Sequence, residues 1–371
     1  MNKIGIITLQ GNKNFGNKLQ NYALQELIKE LGLHPETIII AFRKKKRKNI
    51  CWDNNVFNIV RKIKNKGWEK GLEIINKKRF TNKNEKFKNF SNDYIVKKNI
   101  SFEENASLKE IANEYKYFIV GSDQVWNPFL IEDIKVYFLA FAPSEKRIAY
   151  AASFGISNIP KEFKKIYKQM LGNMANISVR EKAGIKIVKE LANRKAILLM
   201  DPTLMLKKDK WAKIAKKSKH KPKEKYLLSY FLGKIKKEDY FKMKKIAKQE
   251  NLQLVELASL RDKKRFTTDP CEFIDYIKSA SLVFTDSFHG TIFSILFNRP
   301  FVVFERISSM ESMNSRLETL LTSFKFNDRK WESLKDKNEI MSMSFAHVDI
   351  ILEKEREKSI IFLKKALQVK E

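Results

Sequence analysis

Short apolar runs separated by amphipathic stretches set the rhythm of this chain. Residues 4–9 are apolar and end at Gln10 and Gly11, as expected of a strand covered on both faces of a parallel sheet. A helix follows, with Leu19, Tyr22, Ala23, Leu27 and Leu31 at helical spacing, Asn17 as candidate N-cap and Gly32 as candidate C-cap. Residues 37–42 give the next strand and complete a βαβ unit. Further strands are predicted at 117–120, 148–153, 177–180 and 196–200, with a helix starting at Glu181. Residues 43–100 break the rhythm and read as an irregular, basic, partly helical insertion. Residues 207–225 are strongly basic, begin with helical periodicity around Trp211 and mark a linker. Beyond them the alternation resumes, with strands at 226–232, 252–257, 282–284 and 301–304 and helices at 236–250, 272–279 and 292–297. Ile351, Leu352, Ile360, Ile361, Leu363 and Leu367 then give residues 349–370 the pattern of an amphipathic C-terminal helix. The expectation is an α/β protein of two Rossmann-like, doubly wound domains facing a cleft. They cover residues 1–206 and 226–345, and the last helix lies within 346–371.

Length and composition support two cores: 371 residues exceed one typical domain, and 43% are hydrophobic. The formal charge of +31 points to anionic partners, or to a lysine-biased composition, since lysine is dispersed along most of the chain. The densest basic run is Arg-Lys-Lys-Lys-Arg-Lys at 43–48. It is either a solvated part of the insertion or a docking surface for an anionic membrane or a lipid-linked substrate. Cys51 and Cys271 have neither metal-ligand nor CxxC spacing, which fits a reducing cytoplasm. No run reaches the roughly 18 apolar residues of a membrane span, and the opening run is short for a signal peptide, so it is read as a strand. A soluble cytoplasmic protein is expected, with contact at the inner face of the plasma membrane the role left open for the basic run. The glycine loop at 10–17 lacks GxGxxG, and no metal-ligand cluster stands out, so no cofactor is expected.

Three strand tips carry candidate chemistry. In the stretch 281–298 a buried strand meets Thr285, Asp286 and Ser287, and Gly290 and Thr291 open a helix. His289 therefore stands where a strand ends and a helix begins, the usual ligand position in open α/β sheets. A lone histidine is more often structural; its position at this junction is what raises it. Ser122, Asp123 and Gln124 form a second polar tip, where Asp123 either binds a hydroxyl or caps a turn. Arg180 ends a third strand and either clamps a carboxylate or phosphate or makes a surface ion pair.

These residues fall within a set of motifs that resembles the polysaccharide pyruvyl transferase family. The motifs are Asn14-Phe-Gly-Asn-Lys-Leu-Gln-Asn-Tyr-Ala-Leu-Gln25, Val120-Gly-Ser-Asp-Gln-Val-Trp-Asn-Pro128 and Ile148-Ala-Tyr-Ala-Ala-Ser-Phe-Gly155. With them come Ser178-Val-Arg-Glu181, Asp201-Pro-Thr-Leu204, Thr285-Asp-Ser-Phe-His-Gly-Thr-Ile292 and Asn314-Ser-Arg316. Their joint order, spanning nearly the whole chain, carries the resemblance. It implies a GT-B-like fold and transfer of pyruvyl as a ketal from phosphoenolpyruvate to a glycan or lipid-linked sugar acceptor of a bacterial surface polysaccharide. It also implies His289 as general acid, with Asp123 or Asp286 accepting a proton or orienting the acceptor. Arg180, Ser287, Gly290, Thr291, Arg316, Asn17, Ser122 and Gln124 are then expected around the donor and substrate. Some pyruvyl transferases have arginine two residues before this histidine; here that position is Ser287, and Arg316 is the candidate substitute. A glycosyltransferase using a nucleotide sugar on the same plan is the alternative. Nucleic-acid binding is disfavoured, because the charge is dispersed and no recognition motif appears.

Overall fold

The computed structural model describes residues 2–11, 14–42, 75–102, 106–306, 315–334 and 340–369. The first sheet has seven parallel strands: β1 (Lys3–Ile7), β2 (His34–Phe42), β3 (Lys97–Phe102), β4 (Tyr117–Val120), β5 (Arg147–Ala152), β6 (Asn176–Val179) and β7 (Ile197–Leu198). They lie in the order β3-β2-β1-β4-β5-β6-β7. The second sheet has four parallel strands, β8 (Tyr226–Tyr230), β9 (Gln253–Glu256), β10 (Leu282–Thr285) and β11 (Phe301–Val303), in the order β11-β10-β8-β9. Strand order reverses between β1 and β4 in one sheet and between β8 and β10 in the other. Loops leaving the strand ends at such points diverge and open a crevice.

Helix α1 (Phe15–Glu30) follows β1. Asn14 is its cap, accepting from Gly16 N–H at 2.9 Å, so Asn17 lies inside the first turn and not at the N-cap. At the other end Gly32 has φ +75°, and the N–H groups of Gly32 and Leu33 return to Lys29 and Ile28.

The expected insertion at 43–100 is corrected in its described part. Helix α2 (Lys77–Tyr94) buries Phe87 against Phe15 (5.2 Å between ring centroids) and Phe90 beside Tyr22 (6.4 Å), and β3 then adds an edge strand. An edge strand tolerates polar residues such as Lys97, Lys98 and Asn99, which is why it lacks the apolar signature of its neighbours. The basic run at 43–48, Cys51, Trp52 and Trp68 lie outside the described residues.

The basic stretch 207–225 is also more than a linker. Within helix α5 (Lys208–Ile214), which follows α3 (Lys182–Ala192) and the short α4 (Pro202–Met205), Trp211 is fully buried between Tyr22 (5.6 Å) and Phe293 (5.0 Å). Its indole N–H donates to Thr203 O at 3.0 Å. Lys221 Nζ reaches Asp275 Oδ2 at 2.6 Å. The second sheet carries helices α6 (Lys237–Gln249), α7 (Pro270–Ser279), α8 (Phe288–Leu296) and α9 (Ser315–Ser323). One apolar core joins the two sheets, with the Phe15 ring stacked 4.4 Å from Phe273 and tilted against Tyr230 at 5.5 Å. Truncating a large side chain at this seam, such as Trp211 to alanine, should cost about 3–5 kcal/mol.

The chain ends in α10 (Val348–Leu367), which crosses back to the first sheet. Phe362 lies 6.4 Å from Tyr150, and Arg356 donates to the carbonyls of Leu204 and Leu206, both at 3.1 Å. Among the described residues no helix is long and apolar enough to cross a membrane. Cys271 is a free, buried thiol.

Candidate functional site

At the first switch point β4 runs into Gly121 and the Ser122-Asp123 turn. Asp123 has φ +75°, a sparsely populated conformation for a residue with a side chain. It is held by a bridge to Ala152, and its carbonyl accepts the N–H groups of Val125 (2.8 Å) and Ser153 (3.0 Å). Its carboxylate Oδ1 accepts Gln124 N–H at 2.9 Å and faces Arg180 at 3.3 Å and Arg316 at 3.8 Å. Arg180 leaves β6, and its backbone N–H donates to Ala152 O at 3.1 Å. Its guanidinium reaches Asp201 Oδ2 at 2.7 Å and Ser122 Oγ at 3.3 Å.

Asp201 is the hub of this cluster. Its Oδ1 caps α4 by accepting Thr203 N–H (3.0 Å) and Thr203 O–H (2.7 Å). Its Oδ2 accepts Ser122 O–H (2.7 Å) and Arg180, and stands 3.6 Å from His289 Nε2. Burial would raise the Asp201 carboxyl, but the facing His289 and Arg180 side chains and the Thr203 bond hold it far below the usual carboxylate range. The Arg180 guanidinium, though disfavoured by burial, is held above its ordinary value by Asp201, Asp123 and Glu181. Burial, followed by the Arg180 charge, pulls Arg316 down. Glu181 braces the neighbouring loop, its Oε1 accepting from Ser153 Oγ (3.1 Å), Phe154 N (2.8 Å) and Gly155 N (3.2 Å).

His289 comes from the opposite switch point and is 4% exposed. Its imidazole lies against the backbone of Gly16, so close that a Cβ there would fall 1.9 Å from Nδ1. Phe288 turns its ring face to Arg180 (4.4 Å to the guanidinium carbon) and Arg316 (5.8 Å). The buried Nε atoms of Arg180 and Arg316, His289 Nε2 and Glu181 Oε2 have no hydrogen-bond partner among the described residues. Groups of that kind call for an explanation. A cavity of about 40 Å³ is lined in part by Arg180, Asp201, Phe288 and Arg316.

The structure thus brings together His289, Asp123, Arg180, Ser122 and Arg316 from sequence positions nearly 200 apart. Several other expected residues play different parts. Both oxygens of Asp286 accept backbone N–H groups, from Leu232 and Gly233, each at 2.7 Å, and Arg306 adds a contact at 3.2 Å. Asp286 thereby braces the loop after β8. Ser287 caps α8: its Oγ accepts Gly290 N–H (3.3 Å), and its carbonyl accepts both N–H (3.0 Å) and O–H (3.1 Å) of Thr291. The turn therefore consumes the Gly290 and Thr291 amides expected to hold an anion. The first-turn N–H groups of Phe288 and His289, which have no intrahelical acceptor, are the ones left for that purpose. Gln124 accepts from Asn127 Nδ2 (3.0 Å) and packs into the space where Gly155 lacks a Cβ. Asn17 lies beside Gly11 in the first turn of α1, its carbonyl accepting from Gln20.

Asp201 and Phe288 are the members of this cluster to which the sequence reading gave no role, although both lie in motifs that carry the resemblance. By position Asp201 read as the polar stop of a strand before proline, and Phe288 as an apolar residue in the turn before a helix. Among the described residues no group of three or more His, Cys, Asp or Glu side chains has the geometry to hold a metal.

Comparison with known proteins yields one family match. The model of the family described as polysaccharide pyruvyl transferase matches residues 14–309, a span that includes every site residue above except Arg316. No curated protein matches the chain. Among solved structures the chain is similar to an assigned UDP-N-acetylglucosamine 2-epimerase from Listeria monocytogenes, with TM-score 0.53 and 13% identity over 100% of this chain and 98% of that one. It is also similar to the S. aureus MnaA-UDP co-structure, with TM-score 0.51 and 12% identity over 100% and 98% of the two chains. At such identities the likeness is one of fold, and the fold is GT-B, as the family resemblance implied.

Proposed function

The chain belongs to the polysaccharide pyruvyl transferase family, and from that premise we propose that it transfers pyruvyl as a ketal from phosphoenolpyruvate to a sugar of a bacterial surface polysaccharide or its precursor. The observation that supports this best is the placement of two buried guanidiniums, Arg180 and Arg316, around the Phe288 ring, one residue from a buried imidazole. A donor carrying both a carboxylate and a phosphate needs cations at two positions and an acid beside its enol carbon.

In this reading His289 protonates C3 of the enol, which makes C2 electrophilic. One acceptor hydroxyl adds to C2, phosphate leaves, and a second hydroxyl closes the ketal. The two hydroxyl protons balance the methyl group formed at C3 and the hydrogen phosphate released. Asp201 orients His289 from 3.6 Å. With Asp286 braced by backbone N–H groups, Asp123 is the carboxylate that remains to meet an acceptor hydroxyl. The reaction needs no cofactor beyond its donor. We place it in the cytoplasm, with the run at 43–48 as the contact to an anionic membrane surface.

Purified protein given phosphoenolpyruvate and a vicinal- or 4,6-diol sugar should release inorganic phosphate, and His289→Ala should abolish the release. Equal release by the two proteins would remove His289 from the chemistry. A glycosyltransferase would instead be stabilised by a nucleotide sugar and not by phosphoenolpyruvate, which a thermal-shift screen reads directly. That alternative rests on the fold alone.

A further inference from the structure

We infer that the Asp123 carboxylate occupies, in this state of the protein, the seat that a ligand carboxylate takes between Arg180 and Arg316, and that ligand binding exchanges one carboxylate for the other. The inference rests on the proposed function only for the identity of the donor; the seat itself is defined by its geometry.

Four observations carry it. Asp123 Oδ1 lies between both guanidiniums, 3.3 Å from Arg180 and 3.8 Å from Arg316. Both distances exceed the usual 2.7–2.9 Å of a charge-assisted bond, so the internal carboxylate fits the pair loosely. Each of the two arginines keeps a buried Nε without a hydrogen-bond partner, and donors of that kind are what a better-fitting planar carboxylate would engage. Asp123 also makes these contacts from a backbone with φ +75°, a conformation kept where the surroundings impose it and often found at ligand sites. Arg180 has a second, tighter partner in Asp201 at 2.7 Å, whereas Arg316 makes no other ion pair among the described residues, so exchange frees Arg316 without dismantling the hub.

The consequence is thermodynamic. A ligand that must displace a resident carboxylate binds with an apparent affinity reduced by the fraction of molecules in which the seat is open. Removing the resident should therefore tighten carboxylate binding by about tenfold or more, the factor expected when the seat is open in roughly a tenth of molecules. A pure loss of negative charge would also help anions, so a matched control is needed. Glu181 stands in the same cluster but does not bridge the arginines.

The test is isothermal calorimetry of pyruvate and of phosphoenolpyruvate with wild type, Asp123→Asn and Glu181→Gln. Asparagine tolerates the left-handed backbone and keeps an acceptor for Gln124 N–H. Asp123→Gly, suited to the same φ, serves as a second variant if the first folds poorly. The expected result is a Kd for pyruvate about tenfold or more lower in the Asp123 variants and changed less than threefold in Glu181→Gln. Equal tightening in both would reduce the effect to long-range charge, and unchanged or weaker binding in the Asp123 variants would show that Asp123 does not hold the seat. Either result overturns the inference. Because pyruvate reports on the seat alone, a wild type that binds pyruvate yet never releases phosphate would sink the proposed reaction and leave the seat standing.

Discussion

Gly16→Ala tests whether the two halves of the site are held in catalytic register by one close contact. Gly16 belongs to the first turn of α1, and His289 reaches it from the other sheet. A Cβ on Gly16 would lie 1.9 Å from His289 Nδ1, 2.4 Å from Cε1 and 2.5 Å from Cγ, whereas ordinary contact begins near 3.4 Å. The imidazole, or the whole of α8, must therefore retreat by about 1.5 Å, the difference of those two distances. Misplacing a catalytic group by about 1 Å costs on the order of 10²-fold in rate, so kcat for phosphate release should fall about 100-fold or more. Stability should change less than activity. Overpacking costs about 1–3 kcal/mol, while alanine in place of glycine within a helix returns about 1 kcal/mol. The control is Gly172→Ala at the end of helix Lys161–Gly172, where an added Cβ meets nothing within 4 Å and activity should not change. A Gly16→Ala enzyme with wild-type kcat would refute the reasoning, because it would mean that the position of His289 does not govern the rate.

Two further predictions concern buried charge. Asp201→Asn leaves Arg180 without its closest counter-charge and should cost about 3–5 kcal/mol of unfolding free energy at pH 7, measured with urea. Despite burial, His289 and Arg180 hold the Asp201 carboxyl below its ordinary value. Its stabilisation is thus present above the unfolded-state pKa near 4 and lost as pH falls through the lower folded value. The gap between wild type and Asp201→Asn should narrow as pH falls below about 4; a gap that widens in that acid range would contradict this. For Cys271, burial above all, with Asp269 adding to it, pushes the thiol up to about 12. In a Cys51→Ser background, an aromatic disulfide reagent at pH 8 should leave the folded protein unlabelled until denaturant is added; prompt labelling would place Cys271 at the surface.

The strands with continuous apolar runs were legible from sequence, because strands buried on both faces need such runs. β1, β4, β5, β8 and β10 all fell within a residue or two of the expected bounds. What escaped is what depends on tertiary context. β3 is polar because it lies at a sheet edge, and α2 carries its phenylalanines among lysines and asparagines, so its apolar face emerges only once Phe15 and Tyr22 are there to receive it. The basic stretch around Trp211 looked like a linker because most of its lysines are exposed, and nothing in the sequence shows that Trp211 is buried or that Lys221 pairs with Asp275. Within the site, His289, Arg180 and Asp123 stood out by their place at strand tips. The allocation of hydrogen bonds could not be read that way. Nothing in the order of residues says that Asp286 is taken by the amides of Leu232 and Gly233, or that Asp201 gathers Ser122, Arg180, Thr203 and His289.

The return of α10 to the first sheet bears on how the chain is made. Leu204 and Leu206 offer their carbonyls to Arg356, and Tyr150 takes up its place beside Phe362. On the ribosome those first-half groups emerge about 150 to 210 residues before the side chains that cover them, an interval of roughly 8–40 s at ordinary elongation rates. During that time the first sheet has its strand order but lacks one wall, and it shares with the second sheet a core that is still being synthesised. The N-terminal half is therefore not a module that finishes folding and waits for a partner. Its completion depends on α10 (Val348–Leu367), and a truncated product that stops after the second sheet would present the uncovered face of the first to chaperones and proteases.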